Sequence, residues 1–226
     1  MIATIDRLQQ WELRLLEKAA TQLPVNVVGP FRAIPGRTGE MVGFNYALPV
    51  DLLDDRLPAA IGALRALYRA RHERLRLEFN EETWPELSAA LERAGLILES
   101  RNPLMACEPD GFLPFFAPSV VVRFLAPDSR HPSTLRAVGE VAGQVAGRAS
   151  IGTVDGVAEL YGVVTDPPFR RRGVAATVCS ALVERLFDDG GTLVFLDAEN
   201  AGAEALYERL GFRRIGARLS YAEPPP

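Results

Sequence analysis

Apolar and polar positions along this chain follow two rhythms, one of about 3.6 residues and one of two, and each marks a different kind of element. Residues 5–21 place Leu8, Trp11, Leu15, Leu16 and Ala19 at helical spacing, and Pro24 closes the run. Residues 25–28 and 31–34 are short apolar stretches that read as strands. Residues 43–48 read as a third, after the turn-rich loop 35–39. The next helix covers 58–72, with Leu57, Ile61, Leu64, Leu67 and Tyr68 near one face. A strand at 75–79 leads to a helix at 83–94, where Thr83 and Glu86 have capping-box spacing and Gly95 supplies the stop. Residues 96–100 and 104–107 carry one or two further strands.

Residues 109–118 are rich in Pro and Phe and read as a linker. A strand at 120–125 follows, then a helix at 132–145 loosened by Gly139 and Gly143. Residues 146–154 and 157–164 read as two strands joined by the hairpin turn Asp155-Gly156. Val178, Ala181, Leu182, Val183, Leu186 and Phe187 make 175–187 an amphipathic helix. A strand at 193–196, a helix around Tyr207 and a strand at 213–221 complete the chain before its proline tail.

The order strand, helix, Gly, strand occurs twice. Leu91-Glu92-Arg93-Ala94-Gly95-Leu96 lines up with Tyr207-Glu208-Arg209-Leu210-Gly211-Phe212, and the same offset puts Phe79 on Phe195 and Trp84 on Asn200. The expected fold is therefore α/β, with two halves at 1–115 and 116–226, each a mixed β-sheet flanked by helices.

Composition narrows the function classes. A chain of 226 residues that is 48% hydrophobic and 24% charged has an ordinary globular balance. Its net charge of −4 argues against a nucleic-acid partner. Two cysteines without a C-x-x-C suggest neither a disulfide framework nor a metal site. Cys179 falls within the expected helix and reads as core. Met1 to Gln10 lacks a leader pattern and no apolar run reaches membrane-spanning length, so no membrane partner and a cytoplasmic setting are expected.

The chemistry gathers between the strand at 157–164 and the helix at 175–187. Pro167-Pro168-Phe169-Arg170-Arg171-Arg172-Gly173-Val174-Ala175-Ala176 forms a tight basic turn there. A turn feeding a helix aims unpaired N–H groups and the positive end of the helix dipole at one point, which attracts phosphate. Gly173 is expected to admit a close ligand because it lacks a Cβ, and the arginines add charge suited to pyrophosphate. The preceding Asp166-Pro167-Pro168 ends the strand by removing ladder donors.

Arg170-x-x-Gly173-x-Ala175 resembles the pyrophosphate signature of the GCN5-related N-acetyltransferase (GNAT) superfamily. Asn200 followed by Leu206-Tyr207-x-x-x-Gly211-Phe212 resembles a second segment of it, and the matched order runs from about Gly147 to Ile215. The resemblance implies acetyl-CoA as acyl donor and a primary amine, on a small molecule or a protein, as acceptor, with no metal. It implies that the amides of Arg171, Arg172, Gly173, Val174, Ala175 and Ala176 hold the pyrophosphate. It implies that Val163, Val164 and Thr165 pair with the pantetheine arm and that Asn200 contacts the donor. Tyr207 stands as the acid near sulfur. Glu159, the single carboxylate in its strand, stands as the base, as a residue binding a cationic acceptor, or as the structural partner of an arginine. The first half has no phosphate turn, which resembles a tandem arrangement whose N-terminal copy has lost its cofactor site. A non-catalytic acyl-CoA-binding or sensor protein is the alternative.

Overall fold

Among the described residues, sixteen helices and strands follow the apolar rhythm of the chain, with two short 3-10 turns between them. The structure is a computed structural model that describes residues 2–21, 25–34, 45–127 and 133–225. In chain order they are α1 (Ile2–Ala19), β1 (Asn26–Val28), β2 (Phe31–Ala33), β3 (Ala47–Pro49), α2 (Leu57–Arg69), β4 (Arg76–Asn80), α3 (Leu87–Arg93) and β5 (Ile97–Cys107). Then come β6 (Val121–Phe124), β7 (Thr134–Val141), β8 (Gln144–Val154), β9 (Val157–Thr165), α4 (Val174–Asp188), β10 (Leu193–Asp197), α5 (Ala201–Arg209) and β11 (Arg213–Ala222). The expected loop at 35–39 lies outside the described residues, as does Pro132.

The chain forms two compact units, one of Met1–Trp11 with Leu104–Ile215 and one of Glu12–Pro103 with Gly216–Pro226. The division falls inside β5 and inside β11, whereas the sequence places a boundary at 115/116. Pairing explains the difference. Residues Leu104 to Cys107 of β5 pair with β10, and residues Arg218 to Ala222 of β11 pair with β4.

The larger unit orders its strands β5-β10-β9-β8-β7-β6, antiparallel except for the parallel pair β9–β10. Val174, Val178, Leu182 and Leu186 of α4 bury against Ala149, Ile151, Leu160, Val194 and Leu196 of the strands. Phe195, between Val194 and Leu196, faces the other way, and Trp11 meets it edge-on with ring centroids 4.9 Å apart. The smaller unit orders β1-β2-β3-β4-β11, with β3–β4 parallel. Its core sets Ile61, Leu64 and Tyr68 of α2 and Leu87 and Leu91 of α3 against Leu77, Phe79 and Tyr221.

The repeated sequence has a local cause. In α5 the Gly211 N–H donates to Glu208 and the Phe212 N–H to Tyr207, with Gly211 at φ +90°. In α3 Gly95 and Leu96 donate likewise to Glu92 and Leu91, with Gly95 at φ +81°. Both helices thus end in a Schellman motif, which needs glycine at the left-handed position.

Three sequence readings are corrected, and one left open is decided. Residues 134–141 are a strand, not a helix. Ala142 and Gly143 have φ of +51° and +77°, a pair of left-handed residues that makes a hairpin turn and cannot continue a helix. Helix α3 starts at Leu87, after Pro85, because the residue before a proline avoids helical geometry. Thr83 therefore caps nothing, and its hydroxyl is buried without a partner. Of the one or two strands expected after α3, there is one, the continuous β5 from Ile97 to Cys107. Residues 112–117 are a packed strap and not a linker. The Phe115 N–H donates to Ser180 Oγ and the Ala117 N–H to Thr177 Oγ1, both at 2.9 Å, and Phe112 packs edge-on against Phe187. These bonds explain why α4 carries a fully buried Ser180 and a nearly buried Thr177.

Candidate active site

The site begins where two parallel strands part. Strands β9 and β10 pair at Val157–Leu193, Ala158–Val194 and Glu159–Phe195, and the ladder ends there. Strand β9 runs on to Thr165, and on its other side Gly162 and Val163 both oppose Ala149 of β8 in a β-bulge, with Gly162 at φ +62°. A bulge bends its strand. The backbone from Leu160 to Thr165 thus lines an opening toward β10 instead of completing a ladder.

Beyond Thr165 the chain makes a 3-10 turn at Pro167–Phe169 and enters α4 through Gly173. Arg171 and Gly173 are both left-handed, at φ +58° and +79°. A left-handed residue followed by a right-handed one, as at Gly173 and Val174, gathers N–H groups into a concave nest of the kind that suits an anion, and here it stands at a helix N-terminus. Gly173 is the N-cap and brings no side-chain cap to the first turn. Arg170 Nε donates to the Thr165 carbonyl at 3.3 Å, and the Arg172 guanidinium lies 5.7 Å from the Phe169 ring centroid. The glycine has a different reason from the expected one. A Cβ on Gly173 would stand 2.9 Å from Ala117 Cβ and 3.0 Å from Phe115 Cε1, so the strap fills the space that glycine leaves.

Parted strands, turn and α5 enclose one cavity of about 1060 Å³. Of the residues singled out in the sequence, Val163, Val164, Thr165, Arg170, Arg171, Gly173, Val174, Ala175, Ala176, Asn200 and Tyr207 line it. Arg172 and Glu159 do not. Glu159 occupies the last paired position before the strands part. Thr165 lines the cavity, and its Oγ1 is buried without a hydrogen-bond partner. Asn200 caps α5, its Oδ1 accepting from Gly202 N at 3.0 Å and Ala203 N at 3.1 Å. Tyr207 is 7% exposed and packs against Phe212. Burial above all, then Cys179, Asp197 and Glu199, hold its hydroxyl far above the ordinary tyrosine range, so it stays protonated at any physiological pH. Cys179 is core, as expected, and burial pushes its thiol up to about 12.

Sequence reading missed Phe115, Asp197, Glu199 and Arg209 on the same walls. The signal for Asp197 was its place at the carboxyl end of a parallel strand, where α/β sheets bind ligands. Phe115 carried no signal, because only packing brings the strap to α4. Among the described residues no group of three His, Cys, Asp or Glu could hold a metal, and no helix is long and apolar enough to cross a membrane.

The fold is shared with a GCN5-related N-acetyltransferase from Kribbella flavida, at a TM-score of 0.84 and 24% identity over 98% of this chain and 96% of that one. A tandem GNAT protein from the clavulanic acid biosynthesis pathway aligns at 0.61 and 15% identity, over 87% of this chain and 79% of that one. The [ribosomal protein bS18]-alanine N-acetyltransferase of Salmonella typhimurium is 38% identical over 66 residues, 28% of this chain and 45% of the relative. The mycothiol acetyltransferase of Brachybacterium faecium is 39% identical over 71 residues, 30% of this chain and 22% of the relative. The match thus spans less than half the length of either curated relative. Residues 74–212 match the model of the Acetyltransferase (GNAT) family, which takes in the parted strands, the phosphate turn and Tyr207, and the chain belongs to that family.

Proposed function

We propose that this chain is an N-acetyltransferase that moves an acetyl group from acetyl-CoA to a primary amine. One observation carries the reading: the anion nest at the head of α4 opens on the same cavity as the unpaired edge of β9 and the buried hydroxyl of Tyr207. The amides of Arg171 to Ala176 hold the pyrophosphate, with Arg170 and Arg171 adding charge. Backbone groups of Val163, Val164 and Thr165 take the pantetheine arm as an added strand, and an N–H of Val163 or Val164 polarises the thioester oxygen. Acetyl-CoA supplies an acyl group already activated as a thioester. Glu159 accepts the proton that the ammonium group must lose, through water. As the amine nitrogen bonds to the carbonyl carbon and the C–S bond breaks, Tyr207 gives its proton to sulfur, and the second proton that nitrogen sheds on becoming an amide returns Tyr207 to its neutral form. The bS18-alanine relative is likewise an N-acetyltransferase.

We read 1–115 and 116–226 as two copies of one unit, the first without a donor site. The order β3, α2, parallel β4, α3, antiparallel strand repeats the order β9, α4, β10, α5, antiparallel strand. Where the second copy has Arg170-Arg171-Arg172-Gly173-Val174, the first has Asp54-Asp55-Arg56-Leu57-Pro58 at the head of α2. Two carboxylates replace two arginines, and Pro58 offers no N–H, so this end repels phosphate. Acetyl-CoA should bind once per chain by calorimetry, and free thiol should appear with members of an amine panel. Two donors per chain would refute the degenerate copy. Binding with no thiol release from any amine would leave a non-catalytic acyl-CoA-binding protein.

A further inference from the structure

The ring of Phe115 has an unusual position for an exposed aromatic. It is 48% exposed, yet its backbone is fixed, with its N–H donated to the fully buried Ser180 Oγ at 2.9 Å. Two residues on, Ala117 is tied to Thr177 in the same way. The strap therefore holds Phe115 against α4 while about half of the residue stays exposed. That side chain reaches the phosphate turn, since a Cβ on Gly173 would lie 3.0 Å from Phe115 Cε1. It also lines the cavity that contains the anion nest. A large apolar surface kept in water beside a site for charged groups has a hydrophobic cost that burial under a ligand would remove. The neighbouring Phe116 is equally exposed but does not line the cavity, which separates the two rings by function.

We propose that Phe115 is the platform on which the adenine ring of the acyl donor stacks. This rests on the acetyl-CoA reading above. A donor whose pyrophosphate lies in the nest carries its thioester arm along β9 and its nucleoside out of the other side of the nest. The purine is the part of that ligand with a flat π-face to offer an aromatic ring. Base–aromatic stacking tolerates a mobile, half-exposed partner and is worth roughly 1–3 kcal/mol by alanine substitution, or about 5- to 150-fold in affinity.

The test compares two probes by calorimetry on the full chain, acetyl-CoA and S-acetyl-phosphopantetheine, which keeps the thioester arm and lacks the adenosine portion. Phe115→Ala should weaken acetyl-CoA about 5- to 150-fold and leave the short probe unchanged, and Phe115→Trp should restore acetyl-CoA binding. Phe115→Leu keeps apolar bulk against Gly173 and Ala117 but has no ring, and it should behave like the alanine variant while remaining folded. Phe116→Ala should bind acetyl-CoA like the parent. Unchanged acetyl-CoA affinity in Phe115→Leu overturns the proposal. Equal weakening of both probes also overturns it, because Phe115 would then act by supporting the turn through Gly173. Failure of the parent chain to bind acetyl-CoA would refute the acetyl-CoA reading and this proposal together.

Discussion

Glu159 of β9 and Phe195 of β10 are the last residues to pair before the two strands part. Side by side in a parallel ladder, they present their side chains on one face of the sheet. Phe195 uses that face to pack against Trp11, while Glu159 is half-buried at the lip of the opening. In the acetyltransferase reading proposed above, this carboxylate takes the proton of the incoming amine. Replacing Glu159 by Gln should lower kcat and remove the acidic limb of the pH–rate profile, with acetyl-CoA affinity kept. A raised acceptor KM with kcat and acidic limb intact would make Glu159 a binding residue instead.

Tyr207→Phe should preserve the packing against Phe212 and remove only the hydroxyl. A proton delivered to the leaving sulfur matters in the transition state and not in the bound complex. We expect kcat to fall by roughly 10²- to 10⁴-fold with acetyl-CoA affinity little changed. Stopped-flow release of thiol at saturating donor measures this directly, and an unaltered rate would leave Tyr207 a core aromatic.

The phosphate turn allows shape and charge to be separated. Gly173→Ala forces a Cβ into the left-handed region and against Ala117 and Phe115, and it should cost about 1–2 kcal/mol of stability in addition to the clash. Ala176→Glu adds a negative charge in the first turn of α4 on the cavity wall without that strain. It should weaken acetyl-CoA at least tenfold with the melting temperature kept, and weakening that vanishes at high salt would confirm its electrostatic origin. Equal affinity in the folded Ala176→Glu chain would remove the pyrophosphate from this turn.

Gly211 shows how far packing can restrict a single position. Its φ is +90°, and a Cβ there would overlap the carbonyl oxygen of Gly111 in the segment that leads into the strap. The adjacent Leu113 N–H donates to the Leu210 carbonyl at 3.0 Å. Neither backbone can move away cheaply. Gly211→Ala should lose roughly 3 kcal/mol or more by urea denaturation, at the severe end of single substitutions. A loss below 1 kcal/mol would mean that the 109–113 segment yields.

Two buried thiols make stability depend on alkaline pH. Burial raises Cys107 from 9.0 to about 11 and Cys179 from 9.0 to about 12. Groups whose folded pKa is raised contribute fully below the unfolded value and lose that contribution as pH climbs to the folded one. Stability should therefore fall between pH 9 and 12, and Cys179→Ala should flatten part of that slope in melts recorded across the range. An identical slope in the variant would assign the fall to other groups.

Local chemistry was legible from the residues themselves. Asp155-Gly156 is a left-handed hairpin pair, and the Gly that follows each repeat helix is a Schellman stop, because both features are set within five or six residues. Arg170 to Ala176 showed a basic turn feeding a helix for the same reason, since the chain's own order places the turn before the helix. Long-range pairing decided the rest. Residues 134–141 carry enough apolar spacing for a helix, but the turn at Ala142-Gly143 and the ladder with β8 make them a strand. Residues 109–118 have a linker's composition, yet Ser180 and Thr177 of a distant helix bond their amides and turn them into one wall of the site. Gly173 was read as room for a ligand, and the room is taken by Phe115 and Ala117. The residues from β5 and β11 that complete each unit are far from their partners in the chain, so composition and periodicity could not show the exchange. Backbone turns follow from sequence because their energies are local, whereas the cavity exists only where strands, strap and helices converge through contacts that no short stretch contains.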